Sequence, residues 1–237
     1  MTQTLNELKD RTLQLLTQDS AEVRHLFLRT FIGEVSDFSS STAEALYDWH
    51  KWNNHFMNSD VKHEHEDLCI NLMLSVISLQ LQSMQLFLSG FFAPSGNTKR
   101  QVLETIALAF LCADDRLDVC KKFLNKQYSV HKSIRDLKRH HKSMGVSSEA
   151  VEFMEFCIKQ LNQLSHATNQ SLGSSRTGNG FGVFLGPGFD ESHINSYKIE
   201  ISHRVGMATK LCNIMLGVKQ VVNKSLDAQK DGTTEPR

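Results

Sequence analysis

Apolar side chains recur through most of this chain at alternating spacings of three and four, the period of a helix with one buried face. The clearest run is Val151, Met154, Ile158, Leu161, Ser165, Thr168 and Leu172, restarted by Ser147 after a helix stop at Gly145. Leu5, Leu8, Leu13, Leu15 and Leu16 predict a first helix; Val23, Leu26, Phe27 and Phe31 predict a second that ends near Gly33. The serine-rich "DFSSST" predicts a cap for another helix. Asp60 is a candidate cap for the next, and Glu64, Glu66 and Asp67 suit the positive end of its dipole. Pro94 and Gly96 in "FFAPSGN" predict a break. Thr98 and Gln101 then have capping-box spacing for a helix that buries Leu103, Ile106, Ala107 and Phe110. "ADDRL" offers a fresh cap at Asp114 or Asp115, and the basic stretch 133–143 is expected late in the helix that follows. A long final helix over 192–226 places Ile194, Tyr197, Ile201, Val205 and Ala208 on one side, and residues 227–237 are expected to form a loose, disordered tail.

One segment departs from this period. Residues 173–190 hold six of the thirteen glycines, and Phe181, Val183 and Leu185 alternate as in a strand. A short hairpin or a flap between two helices is expected there. The architecture is therefore an all-α helical bundle of six to eight helices, a single domain over 1–226 with one Gly-rich insertion.

Charge narrows the function classes. The 26 basic and 26 acidic side chains cancel, so attraction to nucleic acid must come from a local patch. The five cysteines include no C-x-x-C pair and are odd in number, which fits a reducing cytoplasm. The N-terminus is polar and charged, unlike a secretory signal. Residues 68–98 carry no charge, but Asn71, Ser75, Ser78, Gln80, Gln82, Ser83 and Gln85 make them too polar for a lipid-facing span. They predict the central buried helix of a bundle, with no membrane partner.

Candidate chemistry is sparse. His50, His55, His63, His65 and Cys69 crowd one region, yet His63 and His65 lie about 200° apart on a helix and cannot both face one ion unless the helix starts after them. No metal and no cofactor is expected. The Gly-rich segment contains Pro187 and no lysine, so it is a flap, a partner-binding hairpin or a connector, and not a phosphate cradle. There is no G-x-S-x-G elbow. Arg100 and Glu104 share a helix face, either as an ion pair that orients the bundle or as the lining of a cleft. His166 falls on a polar face with Glu155, Lys159 and Asn162, open to a ligand. Residues 131–142 hold five Lys/Arg and one acid, and this patch, including Lys132, Lys138 and Arg139, is a candidate surface for RNA or a protein partner. Within it His141 falls in the apolar stripe of Val130, Ile134, Leu137 and Met144, the position of a hydrogen-bonded core histidine. Arg135 and His140 lie about 140° apart on a regular helix.

Two resemblances add expectations. Arg135-Asp136-Leu137-Lys138-Arg139-His140 resembles the R-polar-x-x-x-H motif of the HEPN domain (higher eukaryotes and prokaryotes nucleotide-binding). HEPN domains are helical bundles, many of them metal-independent ribonucleases of bacterial toxin–antitoxin and phage-defence systems. The resemblance implies a homodimer, with Arg135 stabilising phosphate charge, His140 as general acid/base and Asp136 as the polar second position. More loosely, "LSGFFAPSGNTKRQVLETIALAFLCA" and "LNQLSHATNQSL" look like an uncharacterised set of bacterial helical-bundle proteins. Those carry Arg-x-x-x-Glu on a core helix, here Arg100 and Glu104, and a Ser/His pair on a later one, here Ser165 and His166. Three functions stay open: a non-catalytic interaction protein of a bacterial accessory system, an HEPN-type ribonuclease using Arg135 and His140, and a ligand binder or enzyme with a pocket around Arg100, Glu104 and His166.

Overall fold

In the computed structural model, residues 6–7, 9–10, 13, 19–165 and 187–230 are described. The described chain runs through α1 (Ala21–Met57), α2 (Glu64–Leu88), α3 (Phe92–Ala113), α4 (Val119–Leu124), α5 (Ser133–His140), α6 (Ser148–Ser165), α7 (Ile194–Ala208) and α8 (Leu211–Lys230). No strand occurs among the described residues, and the all-α expectation holds. The region 173–190, where a hairpin or flap is expected, lies outside the described residues except for 187–190, which lead into a 3-10 turn at Glu191–His193.

Several boundaries fall elsewhere than the sequence suggests, each for a local reason. The two helices expected on either side of Gly33 follow one another without a loop as α1, meeting at a kink close to the expected end, where Phe31 leaves helical geometry at φ −128°, ψ 30°. Pro94 does not break α3, because it stands in the first turn, where a missing N–H costs nothing. The break comes earlier, at Gly90 with φ 78°. A Cβ on Gly90 would come within 2.5 Å of the Gly188 backbone nitrogen, so only glycine lets the segment entering α7 lie against this turn. Asp60 does not cap α2; His63 is its N-cap. The stretch 133–143 does not end a long helix but opens its own, α5, after α4 stops at Leu124. The expected final helix is divided at Thr209, whose hydroxyl donates to the Gly206 carbonyl, and its second half continues past 226 to Lys230.

The centre of the bundle also differs from expectation. α3, not α2, is the wrapped helix: residues 106–113 are all buried, as for a helix covered on every side. α2 packs along α3 with one face only and leaves Asn71, Ser75, Ser78, Leu81, Gln82 and Gln85 exposed. The main core gathers around α3 from α1, α2, α5, α6 and α8, with Trp52, Ile70, Met73, Leu103, Leu111 and Leu137 deepest. The two tryptophans tie α1 to α2: Trp49 Nε1 donates to the Ile70 carbonyl at 2.9 Å and Trp52 Nε1 to Glu66 at 2.9 Å. A second, aromatic cluster joins the start of α1, the end of α2 and α7 through Phe27, Phe31, Phe87 and Tyr197. Phe92 stacks on Tyr197 at 5.2 Å, and Phe189 meets Phe27 edge-on at 4.8 Å.

Candidate functional site

Two ionic clusters lie on the head of α3. The first was anticipated in part. Arg100 Nε donates to Glu104 Oε1 at 3.0 Å along the helix. Glu104 is 8 % exposed and Arg100 21 %, so the carboxylate is sealed while the guanidinium reaches the edge. His131, in the 3-10 turn Val130–Lys132 before α5, brings Nδ1 to 3.2 Å from Arg100 and 3.3 Å from Glu104. Nδ1 either accepts from Arg100 or donates to Glu104, depending on the tautomer. Beneath them the buried Ser133 hydroxyl donates to the Glu104 carbonyl, anchoring α5 to α3. The third residue expected here, His166, lies outside the described residues, as does the side chain of Ser165.

The second cluster was not anticipated. Arg204 of α7 is 2 % exposed, one of the largest fully buried side chains among the described residues. Its guanidinium donates to Glu200 Oε2 at 2.6 Å, to the Glu200 carbonyl at 3.0 Å and to Ser95 Oγ at 2.6 Å, and its Cζ lies 4.5 Å from the centre of the Phe87 ring. Ser95 and Ser83 exchange hydrogen bonds, each hydroxyl donating to the other's carbonyl, which locks α2 to α3 beside the guanidinium. Gln80 Nε2 donates to the Arg204 carbonyl at 3.2 Å. Lys99 approaches Glu200 Oε2 at 3.4 Å. Burial pushes the Glu200 carboxyl up, but the Lys99 and Arg204 charges outweigh it and hold the group at about 2. Burial, with Arg204 beside it, lowers the Lys99 ammonium against the pull of Glu200. The sequence did carry a signal: Arg204 interrupts the stripe of Ile201, Val205 and Ala208, and Glu200 stands one turn before it.

The basic stretch is less basic in space than in sequence. Asp136 accepts from Arg135 and Arg139, both at 3.3 Å, and from the Tyr128 hydroxyl at 3.0 Å. Burial and that bond push the Tyr128 phenol up. Lys138 pairs with Glu155 of α6 at 2.7 Å. Lys132 stands exposed beside them. Arg135 and His140 lie on the single continuous helix α5, Arg135 exposed and His140, its last residue, half-buried. His141 is half-buried and its Nδ1 donates to the Val146 carbonyl at 2.8 Å, the core position its place in the stripe predicts.

Among the described residues no three His, Cys, Asp or Glu side chains are arranged to hold a metal ion. His65 is buried with no partner on Nε2, and burial lowers its pKa. The five cysteines are free thiols. Burial pushes Cys69 and Cys112 up strongly and Cys120 to about 11, which keeps them protonated and unreactive. α2 is long and apolar enough to cross a membrane by length and composition, with half of its apolar window buried inside the fold.

The fold and these clusters define an all-α bundle protein with two polar clusters on its central helix. No family model, curated protein or solved structure matches the chain.

Proposed function

We propose that this protein is a non-catalytic binding and interaction protein, and that, as the two resemblances imply, it serves a bacterial accessory system of the defence or toxin–antitoxin type. One observation supports this above the others: the basic groups of the motif-bearing helix are engaged structurally. Arg135 and Arg139 share Asp136, and Lys138 is held by Glu155. These pairs offset part of the positive charge that a phosphate would meet, although Arg135 engages Asp136 through Nε alone and stays 58 % exposed. Within one chain Arg135 and His140 also lie about 140° apart around α5, so they do not converge on one scissile bond. The Arg100–Glu104–His131 and Arg204–Glu200–Lys99 clusters bridge elements of the bundle, which is a structural use of charge.

The test is RNA cleavage by the full chain, with Arg135→Ala and His140→Ala alongside. The expected result is no cleavage above background for all three proteins. Cleavage by the wild type that disappears in His140→Ala would overturn the proposal and establish the ribonuclease.

A further inference from the structure

α2 begins on a buried imidazole. His65 stands in its first turn, is 5 % exposed, and its Nε2 has no hydrogen-bond partner. Buried polar side-chain atoms are bonded in the large majority of cases, so this orphan calls for a reason. A neutral ring can leave one nitrogen idle. A charged ring cannot: both nitrogens then carry a hydrogen, and the Nε2 donor would be buried as part of a cation with no acceptor.

The surroundings oppose the charge on balance. Burial is the largest influence and favours the neutral ring, and the His63 ring, centred 5.8 Å away, acts in the same sense. Asp115, from the 3-10 turn Asp115–Leu117, and Glu66, next along α2, draw the ring toward its charged form without overcoming burial. Cys69, one turn on, is held as a neutral thiol and supplies no charge. The positive end of the α2 dipole adds a further penalty for a cation in this turn.

The same turn is the easiest part of α2 to open. Its N-cap, His63, makes no side-chain cap bond, and the connection 58–62 that leads into it is exposed except at Ser59. Asp67 makes the first backbone bond here, its N–H donating to the His63 carbonyl at 3.1 Å. What holds the turn to the bundle is the Trp52 bond to Glu66, with the Trp49 bond to the Ile70 carbonyl one turn deeper.

We propose that the start of α2 is a pH-operated latch: protonation of His65 releases residues 63–67 from α1, carries the ring into water and uncovers Trp52. The direction follows from the ring's being harder to protonate in the fold than its ordinary value of 6.5. The closed turn is fully favoured above pH 6.5 and loses ground as pH falls below it, by up to about tenfold per pH unit until the closed form itself takes up the proton. None of Arg135, Lys138, Arg139 and His140 takes part, so the inference is independent of the function proposed above.

The chain has two tryptophans, and both are bonded to α2, so they report on the latch directly. The test follows tryptophan emission of the full chain from pH 8 to 5, together with amide exchange resolved by residue and corrected for its intrinsic pH dependence. Below pH 6.5 the wild-type emission should move to the red, and the Asp67 and Leu68 amides should lose protection by up to about tenfold per pH unit while those of α3 keep theirs. His65→Gln, which does not titrate, should abolish both changes, and His63→Gln should retain them. Asp115→Asn removes an attraction for the charged ring and should enlarge them. Emission and protection that stay constant in the wild type overturn the proposal, as does a response that persists in His65→Gln. A loss of protection spread equally over α3 and α8 also overturns it, because acid is then unfolding the whole bundle. Should circular dichroism show His65→Gln unfolded at pH 8, Asp115→Asn decides: a response equal to or smaller than that of the wild type overturns the latch.

Discussion

Lys99 and Arg100 are neighbours in sequence and belong to different structures. They lie about 100° apart around α3, so each is delivered to a different side of the bundle. Arg100 stays on its own helix, bonding Glu104 one turn on and meeting the exposed His131 at the rim. Lys99 reaches across to α7, where Glu200 and the buried Arg204 complete a cluster that also holds Ser95. The first cluster is wet at one end and built from few elements. The second joins α2, α3 and α7 around a guanidinium with almost no solvent. The difference shows that a charge within an apolar stripe is not by itself a sign of a site: Arg204 is held from inside the fold through its terminal nitrogens, while its buried Nε has no hydrogen-bond partner.

The comparison is broken most easily at its buried end. Arg204→Ala should destabilise the protein by about 3–5 kcal/mol, since it removes a desolvated, multiply bonded charge and leaves a cavity beside Phe87. Arg204→Lys should recover little of this, because an ammonium cannot span Glu200 and Ser95 together. Urea unfolding free energies that differ from wild type by less than about 1 kcal/mol would place both clusters in one class. At the rim, Arg100→Ala should cost less, about 1–2 kcal/mol, mostly from the sealed Glu104 left with only His131 beside it. A loss as large as that of Arg204→Ala would show that the two clusters are energetically alike.

The smallest effect concerns acid. Glu200 falls from the ordinary carboxylate range to about 2 in the fold, so its stabilisation is complete above pH 4.5 and is lost as pH drops toward 2. The side chain is 41 % exposed, and screening by solvent leaves on the order of 1 kcal/mol. The stability gap between wild type and Glu200→Gln should therefore be constant from pH 7 to 5 and narrow below pH 4.5. A gap that widens on acidification would reverse the sign and reassign the proton.

Much of the fold was legible because helical periodicity is local. Val151, Met154 and Leu161 are buried as their spacing predicts, with Ile158 partly so, and the half-buried His141 bonds the Val146 carbonyl. Ends were harder to place. Pro94 reads as a breaker from its residue type, yet its place in the first turn makes it harmless. Glu155 neutralises Lys138 from another helix, a pairing that no inspection of residues 131–142 could supply.

By itself the sequence determined the all-α class, the apolar faces and the absence of charge between residues 68 and 98, since these depend on which residue types recur at helical spacing. Only the tertiary structure decided that α3 is the wrapped helix, that α2 keeps an uncharged face outward, and that Arg204, and not Arg100, is fully buried. The physical reason is common to all three. Burial and pairing depend on which helices stand beside one another, and that follows from how all the apolar faces of the chain are satisfied at once.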